Sequence, residues 1–163
     1  MVREKKIYPL AGGLTTSDTF AVIGDAQKFQ KHKHAWKVWK TLKEFGCVVY
    51  LVAEDLKRLD GNKVYPNLAQ LKDKVSVVVP CLLPERLKSL VPDSTYAGAG
   101  KIWFQEQTWT QGFQQECDSA GIEVVLGCVL RHVVYAPISM RYLNPCYWHG
   151  LRDAKVPAKR FRR

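Results

Sequence analysis

The fold is decided by a short apolar stretch that ends in a glycine, Thr19-Phe20-Ala21-Val22-Ile23-Gly24. A run of this length, apolar and partly β-branched, is typical of a buried strand in a parallel sheet. From His34 to Phe45 the apolar side chains recur at spacings of three and four, and Gly46 follows as a stop signal, which predicts a helix. This segment therefore predicts a strand, a loop and a helix.

Four further apolar runs continue the alternation and predict strands at 48–52, 75–79, 102–104 and 122–126. Three helices are predicted between them: one capped by Asn67, one from Pro84 to about Leu90, and one opened by a capping box of Thr108 with Gln111. Residues 60–62 and 92–100 are predicted to be a turn and a loop. Crossover connections of this kind predict a Rossmann-like α/β fold, a doubly wound parallel five-stranded sheet of order 3-2-1-4-5 in three α/β/α layers.

Length and composition set the domain organisation. The chain has 163 residues, of which 47% are hydrophobic, enough to bury the core of one domain. The alternation stops near Tyr135, so we expect a Rossmann-like domain over residues 1–134 and a basic C-terminal extension over residues 135–163. No apolar run approaches the ~20 residues that span a bilayer, and the N-terminus lacks the apolar core of a secretory signal. We therefore expect a cytoplasmic protein.

Net charge, cysteine content and sequence motifs indicate which partners and which kinds of site to expect. The chain carries 25 Lys and Arg against 15 Asp and Glu, a formal net charge of +10, which favours phosphate-bearing partners such as nucleic acid, anionic membrane or acidic cofactors. Its five cysteines are irregularly spaced, so we interpret them, Cys128 included, as buried free thiols. The sequence shows no nucleophile elbow, metal-ligand constellation or paired carboxylates at a helical spacing. We therefore expect no metal site and no independent catalytic activity.

The predicted topology also locates a ligand site. In open α/β sheets a ligand binds at the carboxyl ends of the strands, where the strand order reverses, which the predicted order places between strands one and four. After the first strand, Gly24 leads into a segment that contains Lys28 and Lys31. Positive charge beside the start of a helix favours an anion. We therefore expect a phosphate group near Gly24.

Several short sequence motifs, taken in their order over about residues 18–132, resemble those of a known family. The motifs are Ala21-Val22-Ile23-Gly24, Gly46 with the following strand 47–52, Gly61 with 64–68, Ile102-Trp103-Phe104-Gln105, residues 120–125, and Cys128 with His132. On these residues the chain resembles the small CoA-binding domain proteins, relatives of the nucleotide-binding domain of the succinyl-CoA synthetase α subunit.

The resemblance implies that the chain binds coenzyme A, or an acyl-CoA, through its ADP moiety as a non-catalytic or regulatory module. The first loop would approach the phosphates, the end of strand two the ribose, and the residues after strand three the adenine. Carried onto this chain, the cofactor-binding residues are Gly24, Asp25 and Ala26 with Lys28 or Lys31, then Val52 and Ala53, then Val79 and Pro80, with Gln105 closing the opposite side.

Two departures from the family pattern keep a second ligand open. A small hydroxyl residue usually follows the glycine in the family, where this chain has Asp25, and strand two commonly ends in Asn-Pro, where this chain has Ala53-Glu54-Asp55. An acidic residue at the end of strand two is what an NAD site uses to bind ribose hydroxyls. The alternative is therefore an oxidoreductase or ligase component that binds NAD or another adenine nucleotide.

The predicted extension supplies a third hypothesis. It mixes aromatic side chains with positive charge, at Arg141, Tyr142, Tyr147, Trp148, His149 and Arg152, and ends in Lys159-Arg160-Phe161-Arg162-Arg163. We interpret the cluster as packing on the domain or against a second subunit, which would make a homodimer. The same composition is used to bind single-stranded nucleic acid, so a nucleic-acid-binding protein with a basic surface and tail stays an alternative.

Overall fold

A computed structural model describes residues 7, 10–105 and 107–131, except for the side chain of Arg131. Within these residues lie seven strands: β1 Thr19–Ile23, β2 Val48–Val52, β3 Arg58–Leu59, β4 Asn62–Tyr65, β5 Val77–Pro80, β6 Lys101–Phe104 and β7 Glu123–Leu126. The α-helices are α1 Ala26–Gln30, α2 His34–Glu44, α3 Leu90–Ala97 and α4 Gln111–Ala120. Short 3-10 helices span Ala11–Gly13, Leu68–Leu71, Pro84–Arg86 and Val129–Arg131.

The strands form one Rossmann-like sheet in the order β3-β4-β2-β1-β5-β6-β7. All neighbouring strands run parallel except β3 and β4, which are antiparallel. At the centre, Phe20 of β1 is in register with Val49 of β2 and with Val77 of β5. Since β1 has a strand on each side and helices on both faces, its apolar run is buried, as the sequence predicted.

Two apolar layers enclose the sheet. Alternation along β1 sends Phe20 and Val22 to one face and Ala21 to the other, because successive strand side chains point to opposite faces. The first face packs against α1 and α2 through Phe29, Val38, Trp39 and Leu42. The second packs against α3 and α4 through Leu90, Val91, Phe113 and Cys117. This is the predicted three-layer arrangement.

The predicted strand order is wrong, because β4 was interpreted as part of a turn region. The five predicted strands lie in the order two-one-three-four-five, and β4 pairs in parallel with β2 on the side where strand three was expected. Counting β4, the six parallel strands follow the order 3-2-1-4-5-6 of dinucleotide-binding Rossmann sheets. The order therefore reverses between β1 and β5.

A physical reason explains why β4 was missed. Its sequence, Asn62-Lys63-Val64-Tyr65, carries polar residues, and only Val64 is buried. The residues before it, Asp60 and Gly61, have φ angles of 47° and 81°, as in the two-residue turn of a β-hairpin. That hairpin joins β3 to β4, so the turn was predicted correctly but its flanking strands were not.

The segment between β5 and β6 also differs from the prediction. The helix expected from Pro84 is only the 3-10 turn Pro84–Arg86, and α3 occupies the stretch that was predicted as a loop. Pro92 lies in the first turn of α3, where its missing N–H costs nothing. Gly98, with a φ of 83°, ends the helix in the left-handed conformation, which glycine adopts without strain.

Two smaller predictions concern helix starts. The Asn67 side chain accepts a hydrogen bond from the Gln70 N–H at the start of a 3-10 helix, which confirms the predicted cap. The capping residue of α4 is Thr110, whose Oγ1 accepts from the Phe113 N–H at 3.1 Å, and not Thr108. The Thr108 hydroxyl instead donates to the Gln105 carbonyl at 2.8 Å.

Several predictions fall on residues that the structure does not describe. The extension over 135–163, its aromatic and basic cluster and His132 lie outside the described residues. Among the residues that are described, no helix combines the length and the apolar character that crossing a membrane needs.

Candidate functional site

A cavity of about 220 Å³, which we call the strand-end cavity, opens at the carboxyl ends of β1, β2 and β4. Its apolar lining comes from these strand ends, from the 3-10 helix after β4 and from the segment that leads from β5 into α3, through Ile23, Val52, Ala53, Leu68, Leu82, Leu87 and Leu90. Its charged and polar lining consists of Asp25, Glu54, Asp55, Asn67, Arg86, Ser89 and Asp93. The cavity therefore lies at the carboxyl edge beside the reversal of strand order, where ligands bind in sheets of this type.

Gly24 lies at the end of β1, between the cavity and the helices that follow. Its N–H donates to the Val52 carbonyl at 2.9 Å. A Cβ atom at this position would lie 2.9 Å from the Cβ of Ala35 and 2.9 Å from the ring of Phe29, closer than real side chains approach. Glycine is therefore required here so that α1 and α2 can pack against the end of β1, a reason that the sequence pattern did not reveal.

Asp25 organises the loop that follows β1. Its Oδ1 accepts a hydrogen bond from the Lys28 N–H at 2.7 Å, which caps α1, and its Oδ2 pairs with Nη1 of Arg86. Burial by itself raises the pKa of Asp25, but the hydrogen bonds from Arg86 and Lys28 and their positive charges outweigh it and hold the pKa below the ordinary 3.8. Asp25 is therefore a buried, ionised carboxylate at neutral pH.

A second carboxylate reaches the same loop from the end of β2. Oδ1 of Asp55 accepts a hydrogen bond from the Ala26 N–H at 2.8 Å. Glu54, its neighbour, is exposed at the rim of the cavity. Of the two acidic residues that follow β2, Asp55 is thus bound to the loop after β1 and Glu54 is exposed to solvent.

The charge of the cavity is opposite to that of the whole chain. Four acidic side chains line it, those of Asp25, Glu54, Asp55 and Asp93, against one basic side chain, that of Arg86. The complete sequence carries a formal charge of +10. Positive charge therefore lies elsewhere on the molecule, and the cavity presents hydrogen-bond acceptors to a ligand.

The structure brings together only part of the predicted site. Four of the ten predicted residues line the cavity, namely Gly24, Asp25, Val52 and Ala53. The backbone N–H of Ala26 is bound by Asp55. Lys28 lies within α1 and Lys31 directly after it, and neither is among the residues that line the cavity.

The remaining three predicted residues are internal. Val79 and Pro80 are buried in β5, and the cavity is lined instead by residues that follow them, such as Leu82 and Leu87. The Gln105 side chain is fully buried. It accepts from the Val129 N–H at 2.9 Å, donates to the Gly127 carbonyl at 3.1 Å and lies 3.1 Å from Nε2 of His34, so it joins β6 to the loop after β7.

Sequence reasoning missed the residues that the segment after β5 contributes. Arg86, Ser89 and Asp93 line the cavity because the chain turns through a short 3-10 helix and then enters α3. The one available signal was Pro84-Glu85-Arg86, a charged pair directly after a helix-starting proline. It was interpreted only as a helix start.

The described cysteines are buried, as predicted, and none of them forms a disulfide: Cys47, Cys81, Cys117 and Cys128. Burial raises the pKa of the Cys81 thiol, which follows the end of β5, far above its usual range. Burial, with a smaller contribution from Asp118 and Glu116, raises the pKa of Cys117 to about 11. Neither thiol is therefore a ready nucleophile at neutral pH.

Comparison with known proteins identifies the family. The family described as "CoA binding domain" matches residues 18–133, which is more than half of the chain. The chain belongs to the CoA-binding domain family. This confirms the resemblance that the sequence motifs indicated, and the matched range contains every residue of the cavity. A search of curated proteins finds no match to the chain.

Solved structures support the fold of this CoA-binding domain. A hypothetical protein from Pyrococcus horikoshii OT3 is 29% identical, with a TM-score of 0.63 over 71% of this chain and 80% of that chain. The PH1109 protein redesigned for binding is 26% identical, with a TM-score of 0.66 over 75% of this chain and 87% of that chain.

A larger protein contains a similar fold as one of its parts. The dinucleotide-forming acetyl-coenzyme A synthetase 1 of Ca. Korarchaeum cryptofilum, solved in complex with phosphate and ADP, is 20% identical to the chain. The TM-score is 0.56, and the alignment covers 66% of this chain but only 25% of that chain. At this identity the comparison supports the fold of the CoA-binding domain alone.

Proposed function

We propose that the chain binds coenzyme A, or an acyl-CoA, by holding its adenosine end in the strand-end cavity, and that it acts as a binding or regulatory module without catalysis of its own. The observation that carries the proposal is the position of the cavity. It lies beside the reversal of strand order in a CoA-binding domain, at the ends of β1, β2 and β4.

The size of the cavity supports binding of one part of the ligand. Its volume of about 220 Å³ is below the roughly 300–1,000 Å³ of pockets that enclose a whole drug-sized ligand. An adenine ring with its ribose suits such a space, because Leu82, Leu87 and Leu90 offer it apolar surface. The pantetheine arm of CoA would then extend over the surface of the protein.

Glu54 distinguishes the two candidate cofactors. It follows β2 and is exposed at the rim of the cavity, where an acidic side chain can accept hydrogen bonds from a free ribose diol. NAD has such a diol, whereas the ribose of CoA carries a 3′-phosphate. If Glu54 contacts the ribose, NAD and dephospho-CoA bind more tightly than CoA, and replacing Glu54 with glutamine reduces that preference.

A thermal-shift panel tests the proposal. CoA, dephospho-CoA, acetyl-CoA, NAD, ATP, AMP and adenosine are each added, because a ligand that binds only the folded state raises the midpoint of unfolding. A Ser89→Trp variant obstructs the rim of the cavity, and Ser119→Trp on α4 is the matched control at an exposed serine elsewhere. We expect the stabilisation to disappear in the first variant only.

Two outcomes would contradict this function. No shift at millimolar concentration of any ligand would exclude nucleotide binding, and an equal loss in both tryptophan variants would place the site elsewhere. The absence of catalysis is tested separately, by incubating the protein with acetyl-CoA and measuring free CoA by chromatography. We expect no conversion above the rate without protein.

The nucleic-acid hypothesis is supported by one observation of its own. Residues 26–43 contain six lysines and no acidic residue: Lys28, Lys31, Lys33, Lys37, Lys40 and Lys43. Beside them the rings of His32 and Trp36 are stacked at 3.8 Å, and Nζ of Lys40 lies 4.8 Å from the Trp36 ring. We call residues 31–43 the basic helix surface. Lysines around an aromatic pair are suited to single-stranded nucleic acid.

Salt dependence tests the basic helix surface. Binding of a fluorescent single-stranded oligonucleotide is measured at several salt concentrations, since each neutralised phosphate contributes a slope of about −0.7 in a plot of log K against log salt. Replacing Lys37 with glutamine should reduce the slope by about that amount, whereas Lys72→Gln, outside this surface, should leave it unchanged. Equal effects of the two variants would contradict a nucleic-acid site here.

A further inference from the structure

We propose that Asp25 and Asp55 exclude phosphate groups from the loop after β1, so that the strand-end cavity selects the adenine and ribose of its ligand, while the pyrophosphate and the 3′-phosphate of CoA lie away from that loop. This inference rests on the proposed function, because it assigns the part of the nucleotide that the same cavity holds. It also departs from the expectation that the first loop approaches the phosphates.

The first step is that three backbone N–H groups of the loop, those of Gly24, Ala26 and Lys28, are already bound. The Lys28 N–H donates to Asp25 at 2.7 Å and the Ala26 N–H donates to Asp55 at 2.8 Å. The Gly24 N–H donates to a backbone carbonyl of β2 at 2.9 Å. Backbone N–H groups of this kind are what a phosphate would need in a loop between a strand and a helix. Carboxylates of the protein itself bind two of the three groups and so occupy the place that a phosphate would take.

The second step concerns the nearest positive charge. Within the described lining of the cavity Arg86 is the one cationic side chain, and its Nη1 pairs with Oδ2 of Asp25. The Asp25 side chain is only 9% exposed, so water screens this carboxylate weakly. A phosphate that entered the loop would compete with Asp25 for Arg86 and would lie beside two carboxylates.

The third step is that the same charges suit an uncharged nucleoside. The ribose hydroxyls and the exocyclic amine of adenine are hydrogen-bond donors, and ionised carboxylates only accept. Glu54 and Asp93 add two further acceptors to the lining. The adenine and ribose therefore complement the cavity, while the phosphate chain and the 3′-phosphate of CoA must leave it on a side away from the loop after β1.

An Asp25→Ser variant tests the exclusion. The serine hydroxyl retains a cap for α1, removes the negative charge and leaves Arg86 without its carboxylate partner. Asp118→Ser is the matched control, because Asp118 is an exposed carboxylate of α4 that accepts a hydrogen bond from Gln114 and does not line the cavity. Asp55→Asn is the second variant, since Asp55 is exposed and its replacement does not threaten folding.

Isothermal titration with adenosine, ADP and inorganic pyrophosphate provides the readout. We expect the affinity for pyrophosphate, and the ratio of ADP to adenosine affinity, to rise about tenfold or more in Asp25→Ser, which corresponds to ~1.4 kcal/mol or more. A smaller rise is expected in Asp55→Asn and none in Asp118→Ser. If neither loop variant binds pyrophosphate more tightly, or if Asp118→Ser gains as much, the exclusion is refuted.

The experiment separates the two proposals. Failure of adenosine and of CoA to bind the wild-type protein refutes the proposed function. In that case the exclusion is still supported if Asp25→Ser binds pyrophosphate more tightly than the wild type does, because pyrophosphate contains no nucleoside. The converse result is that adenosine binds the wild type while the loop variants show no gain in affinity for pyrophosphate or ADP. That result would support the proposed function and refute the exclusion.

Discussion

Replacing Arg86 with methionine removes the cationic partner of Asp25 and is expected to destabilise the protein at neutral pH. The Asp25 side chain is 9% exposed and that of Arg86 is 53% exposed. Breaking a fully buried ion pair costs about 3–5 kcal/mol, whereas an exposed pair contributes about 0–1 kcal/mol. With one partner buried and the other half exposed, we expect a loss of about 1–2 kcal/mol, or roughly 2–8 °C in melting temperature for a chain of this size.

The cost of Arg86→Met in unfolding free energy should depend on pH. Because Arg86 helps to hold the pKa of Asp25 below the ordinary 3.8, the ion pair stabilises the folded state above that value and ceases to do so as the pH falls through the lower folded-state pKa. The difference in unfolding free energy between wild type and Arg86→Met should therefore be largest at neutral pH. It should shrink as the pH falls below about 4.

Urea denaturation followed by tryptophan fluorescence measures the effect, with an Asp25→Asn background as the control. Asparagine retains the helix cap but has no charge to pair, so Arg86→Met should cost less than about 0.5 kcal/mol in that background. An equal cost in both backgrounds, or an equal cost at pH 3 and pH 7, would refute the assignment of the pair.

Three further predictions concern the rest of the fold. Gly24→Ala should lower the unfolding free energy by about 1–3 kcal/mol through overpacking, while Gly100→Ala, which has open space around it, should change it by less than about 0.5 kcal/mol. Cys81 and Cys117 should stay unlabelled by iodoacetamide at pH 8 in the native protein and react in urea, as read by peptide mass spectrometry. Thr110→Ala should cost about 1 kcal/mol and Thr110→Ser much less, since only the alanine loses the α4 cap.

The elements that the sequence predicted well are those whose burial pattern is local. β1 and α2 lie at the centre and on the first face of the sheet, so their apolar residues follow strand and helix spacing. β4 could not be predicted in this way. Only one of the four β4 residues is buried. The β3-β4 hairpin separates β4 from β2, so the parallel pairing of β2 with β4 is not visible in the local sequence pattern.

The residues of the site also divide into those that the local sequence pattern predicts and those that it does not. Residues at strand ends, such as Gly24 and Ala53, follow directly from the positions of the predicted strands and do line the cavity. Arg86 could not be found from the pattern, because its place depends on how the segment after β5 turns back across the strand ends. Gln105 was predicted to face the ligand, but three internal hydrogen-bond partners hold its buried side chain.

Amide chemical-shift mapping tests the central claim most directly. Adenosine and then CoA are titrated into ¹⁵N-labelled protein, and the shifted resonances locate the site. The claim that the adenosine end occupies the strand-end cavity predicts that both ligands move the amides of Ala53, Leu68, Leu82 and Leu90, which line it. Shifts confined to the basic helix surface, or no shift at millimolar ligand, would contradict it.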